Sequence, residues 1–172
     1  AQDVYMAGTR NSNYGRWVLA DKQDIRMSSP PQIAVDRSNE DTRGNVYIVQ
    51  AGKDDKGRYG VYLAKSTDKG QNWEDRIRID NNEARNDMFF PSISVDPKTG
   101  LIAVLYYSSQ NDPENNQGVD AYVSVSDNGG ESWNQIRVSP ETIYLNSSNT
   151  VFTSGGGSGV SIYWGDYTSI TA

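Results

Sequence analysis

Five side chains stand out by type and placement as a surface that could hold a sugar: Arg85 and Asp87 just before Phe89-Phe90, and Trp164, Asp166 and Tyr167 just before Thr168. A guanidinium beside a carboxylate can take a ligand carboxylate or hydroxyls in paired hydrogen bonds, and an indole or phenol ring can stack on a sugar face. Other chemistries are closed to these residues. The chain has neither His nor Cys, which removes imidazole and thiolate metal ligands, His-dependent triads and disulfides. No metal site and no cofactor are expected. Gln110 to Gly118 (Gln-Asn-Asp-Pro-Glu-Asn-Asn-Gln-Gly) is rich in the oxygen ligands that calcium uses, but its spacing fits no defined calcium loop. Gly155-Gly156-Gly157 is not a phosphate loop, since no Lys-Ser/Thr follows it.

The elements that must position these residues repeat along the chain. Pro31-Gln32-Ile33-Ala34-Val35-Asp36 returns 60 residues later as Pro91-Ser92-Ile93-Ser94-Val95-Asp96, and Val61-Tyr62-Leu63-Ala64-Lys65-Ser66 as Ala121-Tyr122-Val123-Ser124-Val125-Ser126. Between them, Asn45 to Val49 pairs loosely with Leu101 to Leu105. Arg76-Ile77-Arg78-Ile79 and Gln135-Ile136-Arg137-Val138 close the two units. The apolar residues alternate or run in short blocks dominated by Val, Ile and Tyr, with Gly, Asn, Asp and Pro as punctuation, which is strand behaviour. Four strands per unit at this period predict an all-β chain of four-stranded antiparallel propeller blades.

Each unit also carries an eight-residue turn, Ser66-Thr67-Asp68-Lys69-Gly70-Gln71-Asn72-Trp73 and Ser126-Asp127-Asn128-Gly129-Gly130-Glu131-Ser132-Trp133. Gly70 and Gly130 can take the positive φ of a tight hairpin, while Ser66, Asp68, Ser126 and Asn128 can bond the turn's own amides. Trp73 and Trp133 then anchor the following strand. The role expected of these positions is structural.

The pattern Ser-x-Asp-x-Gly-x-x-Trp resembles the Asp-box, or bacterial neuraminidase repeat, of sialidase-like propellers. Ser66 to Trp73 matches throughout, and Ser126 to Trp133 departs once, with Asn128 in place of Asp. The resemblance implies a scaffold role for the box, remote from any active site. It also implies a secreted or cell-surface setting. A sialidase would use an arginine cluster, a Tyr-Glu pair and an Asp acid at the propeller centre; the family's Arg-Ile-Pro signature is missing from this stretch, and no catalytic residue transfers by position.

The units divide the chain into residues 1–28, the outer half of a blade; 29–82 and 83–139, two complete blades; 140–165, a connecting segment; and 166–172, the first strand of a further blade. Such a set cannot close a ring of four or more blades. The remaining blades are expected from the same longer polypeptide or from another subunit. The predicted cores are Ile33, Val35, Val46, Ile48, Tyr62, Leu63, Trp73 and Ile77 in one blade, and Ile93, Val95, Ile102, Val104, Tyr122, Val123, Trp133 and Ile136 in the next.

Leu, Ile, Val and Phe make up only 33 of 172 residues, a thin core that stacked repeats can share and that 11 Tyr and 4 Trp supplement. The net charge of −6 argues against a nucleic-acid partner, and no apolar run is long enough to span a membrane. Three functions fit: a non-catalytic extracellular binding or scaffold module for a carbohydrate or protein ligand, a sialidase-like glycoside hydrolase whose catalytic residues lie largely elsewhere, or a structural protein whose propeller is completed between chains, with unpaired sheet edges as the adhesive.

Overall fold

The computed structural model describes residues 30–53, 59–80, 86–144 and 168–172, together with the backbone of 9–11, 16–19 and 25–26. Every regular element among them is a β-strand, and every pairing is antiparallel. Three short strands, β1 (Thr9–Asn11), β2 (Arg16–Leu19) and β3 (Ile25–Arg26), form a first sheet. Strands β4 (Gln32–Val35), β5 (Val46–Lys53), β6 (Tyr59–Ser66) and β7 (Ile77–Arg78) follow in spatial order as a four-stranded meander. The second meander repeats it with β8 (Met88–Val95), β9 (Ile102–Ser108), β10 (Gly118–Ser126) and β11 (Asn134–Arg137). A two-residue strand, β12 (Ile143–Tyr144), pairs with Gly118 and Val119 at the start of β10. Residues 168–172 carry no strand; Ala172 N donates to Ser94 Oγ at 3.1 Å, beside β8.

Registers in the two meanders correspond residue for residue. Val46 faces Ser66 as Ile102 faces Ser126, and Tyr62 faces Arg78 as Tyr122 faces Arg137. Side chains alternate across each sheet, so each blade has two apolar faces. One face of the first blade, bearing Tyr47, Val49, Val61, Leu63 and Ile79, packs on Met88, Ile93, Ile102, Val104, Tyr106 and Tyr122 of the second. This seam is the core; removing its side chains from water supplies most of the stabilisation, at about 25 cal/mol per Å² of apolar surface.

The predicted core is therefore half right. Ile93, Ile102, Val104 and Tyr122 are buried, with Val95 and Trp133 packed against the cluster. In the first blade Leu63 is buried in the seam and Tyr62 is buried on the other face, while Ile33 and Val35, the equivalents of Ile93 and Val95, lie on the face turned away from the second blade. Ile33 is 64% exposed and Val35 41%. Trp73 is 39% exposed, and Ile77 and Ile136 are exposed as well. Period-2 patterning identifies both faces of such a sheet and cannot say which one has a neighbour.

In a meander, alternate connections share an end. The β4–β5 and β8–β9 turns lie at the end of the Asp-boxes. The β5–β6 and β9–β10 loops and the links between blades lie at the other, hereafter the loop end.

Candidate functional site

At the loop end of the second blade, two segments distant in sequence are fastened together. Asp87 N donates to Asn116 Oδ1 at 3.1 Å and Asn116 Nδ2 returns to Asp87 Oδ2 at 3.1 Å, a reciprocal pair. Ser109 N donates to Asp87 O at 3.1 Å, and Asn86 Nδ2 to Asp112 O at 3.3 Å. Asn116 has φ 56°, a left-handed conformation that Asn tolerates better than most residues. Asp87 is 1% exposed, so its carboxylate faces inward and ties the link before β8 to the β9–β10 loop. Arg85, Trp164, Asp166 and Tyr167 lie outside the described residues.

Two buried polar atoms in this cluster, Asn86 Oδ1 and Ser109 Oγ, have no hydrogen-bond partner among the described residues. Beside them the start of β8 is strained. Phe90 has φ 51°, where a bulky L-residue pays a steric cost, and the register shifts between Phe89 and Ser92. Phe89 is held in place by stacking on Tyr107, with ring centroids 5.6 Å apart.

The β9–β10 loop is built around Asp112. Its carboxylate accepts from Asn115 Nδ2 (2.9 Å), Gln117 N (3.0 Å) and Gly118 N (2.8 Å). These bonds, led by that from Gly118, hold its pKa below the ordinary value. The Asp112 carboxylate, one of the oxygens that suggested a calcium ligand, is thus engaged within the loop. Among the described residues, no three acidic side chains converge as a metal site would require.

The basic side chains of the outer strands are engaged too. Arg78 Nε lies 2.9 Å from both carboxylate oxygens of Asp80, and Arg137 reaches Asp120 Oδ1 through Nε (3.0 Å) and Nη2 (2.6 Å). Both carboxylate side chains are fully buried. Arg76 lies over the Tyr62 ring at 4.5 Å and donates to Lys53 O. Sequence alone singles out neither Asp80 nor Asp120, and gives Asn116 only as one amide of the Gln110 to Gly118 stretch. The signal available for Asp120 was an aspartate standing where the other repeat has Gly60.

The opposite end carries the Asp-boxes. In the first, Ser66 Oγ donates to Asp68 Oδ1 (2.8 Å) and accepts from Gly70 N (2.8 Å), while Asp68 accepts from Asn72 N (2.8 Å) and Asn72 Nδ2 (2.6 Å). The Asn72 amide bond leads the causes that take the Asp68 pKa down to about 2. In the second, Ser126 Oγ donates to Asn128 Oδ1 (2.8 Å) and accepts from Gly130 N (2.9 Å). Ser132 N donates to Asn128 Oδ1 at 3.0 Å. Asn128 therefore supplies the acceptor that Asp68 supplies, and turns its amide nitrogen to Ser132 Oγ at 2.8 Å. Trp133 Nε1 caps Gly130 O at 3.1 Å.

Repeated antiparallel blades closed by Asp-box turns define a propeller of the sialidase-like class, and comparison with known families agrees. The chain belongs to the BNR repeat-like domain family, whose model matches residues 39–168. Among solved structures it is similar to the Hadza microbial sialidase Hz136, with a TM-score of 0.50 and 21% sequence identity over 71% of this chain. The match covers 27% of that sialidase, and at this identity it speaks for the fold alone. No curated protein matches the chain. Among the described residues the blades do not close a ring.

Proposed function

We propose that these blades form part of a longer extracellular, sialidase-like propeller that acts as a non-catalytic binding or scaffold module for a carbohydrate or protein ligand. The supporting observation is how the charged groups are used at and near the loop end. Asp87 fastens a loop, Asp112 holds its own turn, and Arg78 and Arg137 give their guanidinium groups to Asp80 and Asp120. Guanidinium groups committed to buried carboxylates are poorly placed to clamp a substrate carboxylate. The exposed face of Ile33 and Val35 would receive another blade, from the rest of a longer chain or from a second subunit.

A sialidase-like hydrolase with its catalytic residues outside this stretch is the second reading. The strain at Phe90, beside Asp87, favours it, because such strain tends to gather at functional sites. Glycan-array binding and hydrolysis of a fluorogenic sialoside, both measured on the full-length polypeptide, separate the two. Binding without turnover is the expected result. Release of the fluorophore above the buffer rate would transfer the assignment to the hydrolase, and a discrete oligomer with neither property would point to assembly between chains.

A further inference from the structure

We infer that the two blades fill the same site with a buried carboxylate drawn from different strands, and that in the second blade this makes Asp120 the positioning residue for the loop-end segments.

The repeat aligns Gly60 with Asp120, and the registers align Asp80 with Ser139. Ile79 N donates to Val61 O as Val138 N donates to Ala121 O, at 3.0 and 2.9 Å. One residue further on, Asp80 Oδ2 accepts from Val61 N at 3.1 Å, and Ser139 Oγ takes the same place by accepting from Ala121 N at 3.2 Å. The two arrangements exclude each other sterically. A Cβ added at Gly60 would lie 2.9 Å from Arg78 Nε and 3.1 Å from Asp80 Oδ2. The Arg78–Asp80 pair thus occupies the space that the Asp120 side chain fills in the next blade. Where the inner strand carries the aspartate, the outer position shrinks to Ser139, which donates to Asp120 Oδ1 at 2.9 Å. An aspartate at both positions would put two carboxylates in one buried pocket beside a single arginine.

Among its partners Asp80 counts Arg78 and the Val61 amide. Asp120, at the start of β10, binds Arg137 and Ser139 and in addition Asn111 Nδ2 (2.8 Å) from the β9–β10 loop and Thr142 Oγ1 (3.1 Å) from the segment leading into β12. One buried carboxylate therefore fastens two separate loop-end segments to the sheet.

The test exchanges the two solutions in the full-length polypeptide and follows hydrogen exchange and the thermal midpoint. Asp120→Gly should lower the midpoint and speed exchange about tenfold in residues 110–118 and 139–144, since charged hydrogen bonds of this kind carry about that factor or more. Asp120→Gly with Ser139→Asp copies the first blade. It should restore protection to β11 and part of the midpoint while 110–118 stays fast, because an aspartate at 139 takes the place of Asp80 and leaves Asn111 unpartnered. Both variants carry the glycine, so their difference reports where the carboxylate sits. Should Asp120→Gly not fold, Asp120→Asn is read at the same segments, with the same quickening expected. Exchange in 110–118 changing less than twofold would overturn the positioning role, as would its full recovery in the double variant. A double variant no better protected in β11 than the single one would overturn the equivalence of the two sites.

Discussion

The two complete blades share a strand order, a register and a turn, yet their equivalent residues live in different surroundings. Ile93 is 8% exposed and Ile33, 60 residues earlier, is 64% exposed. The same contrast runs through the Asp-boxes. Lys69 and Gly129 occupy the same turn position with φ 62° and 68°. Lys69 projects into solvent, whereas a Cβ on Gly129 would come within 2.9 Å of Thr42 Cγ2 on the first blade. Gly130 is 3.1 Å by the same measure from Leu63 Cδ2, and Gly70 meets nothing closer than Trp73 Cζ2 at 4.0 Å. The turn's internal hydrogen bonds fix its shape in both blades. Its seat on a neighbour then decides which residues it tolerates.

The sharpest way to break this comparison is at the seam. Leu63→Ala removes a side chain 1% exposed and should cost about 2–5 kcal/mol in denaturant unfolding. Ile33→Ala should cost about 0.5 kcal/mol or less in these 172 residues alone, where its face is open, and more in the full-length protein where the proposed further blade covers it. A loss at Ile33 as large as that at Leu63 in the full-length protein would mean that another blade covers it there.

The turns come next. Gly129→Lys should cost about 1–3 kcal/mol through crowding against Thr42. Lys69→Gly should lie within about 1 kcal/mol of neutral, because the left-handed strain it relieves is offset by the chain entropy of glycine. Equal costs in the two boxes would show that packing on the neighbour does not discriminate between them.

The smallest effect is electrostatic. The lowered pKa of Asp68 means that its contribution is present above the ordinary carboxylate value of 3.8 and lost as pH falls through about 2. Asp68→Asn copies Asn128 and should leave the unfolding midpoint at neutral pH nearly unchanged while removing that acid-side loss from the first box. Asp120, whose lowered pKa reflects donors led by Arg137 that outweigh its burial, should lose its contribution on the same acid side. A D68N variant that unfolds at neutral pH would mean that the box depends on charge rather than on its acceptor oxygen.

The blades were legible in the sequence because strand alternation and turn chemistry are local. Ser66, Asp68 and Gly70 make their bonds within seven residues, so the turn can be read wherever it occurs. The candidate ligand surface was legible only as residue types. Asp87 looked free to meet a ligand, and the fold turned it onto Asn116, 29 positions away.

By itself, the sequence determined the all-β architecture, the 60-residue repeat and the self-sufficient turns, since each follows from side-chain periodicity and from backbone conformations set by near neighbours. Which face of each blade is buried, and which strand supplies the carboxylate for its outer arginine, came from packing between the blades. Those choices depend on what packs on the other side of the sheet, and alternation along one strand is blind to that partner.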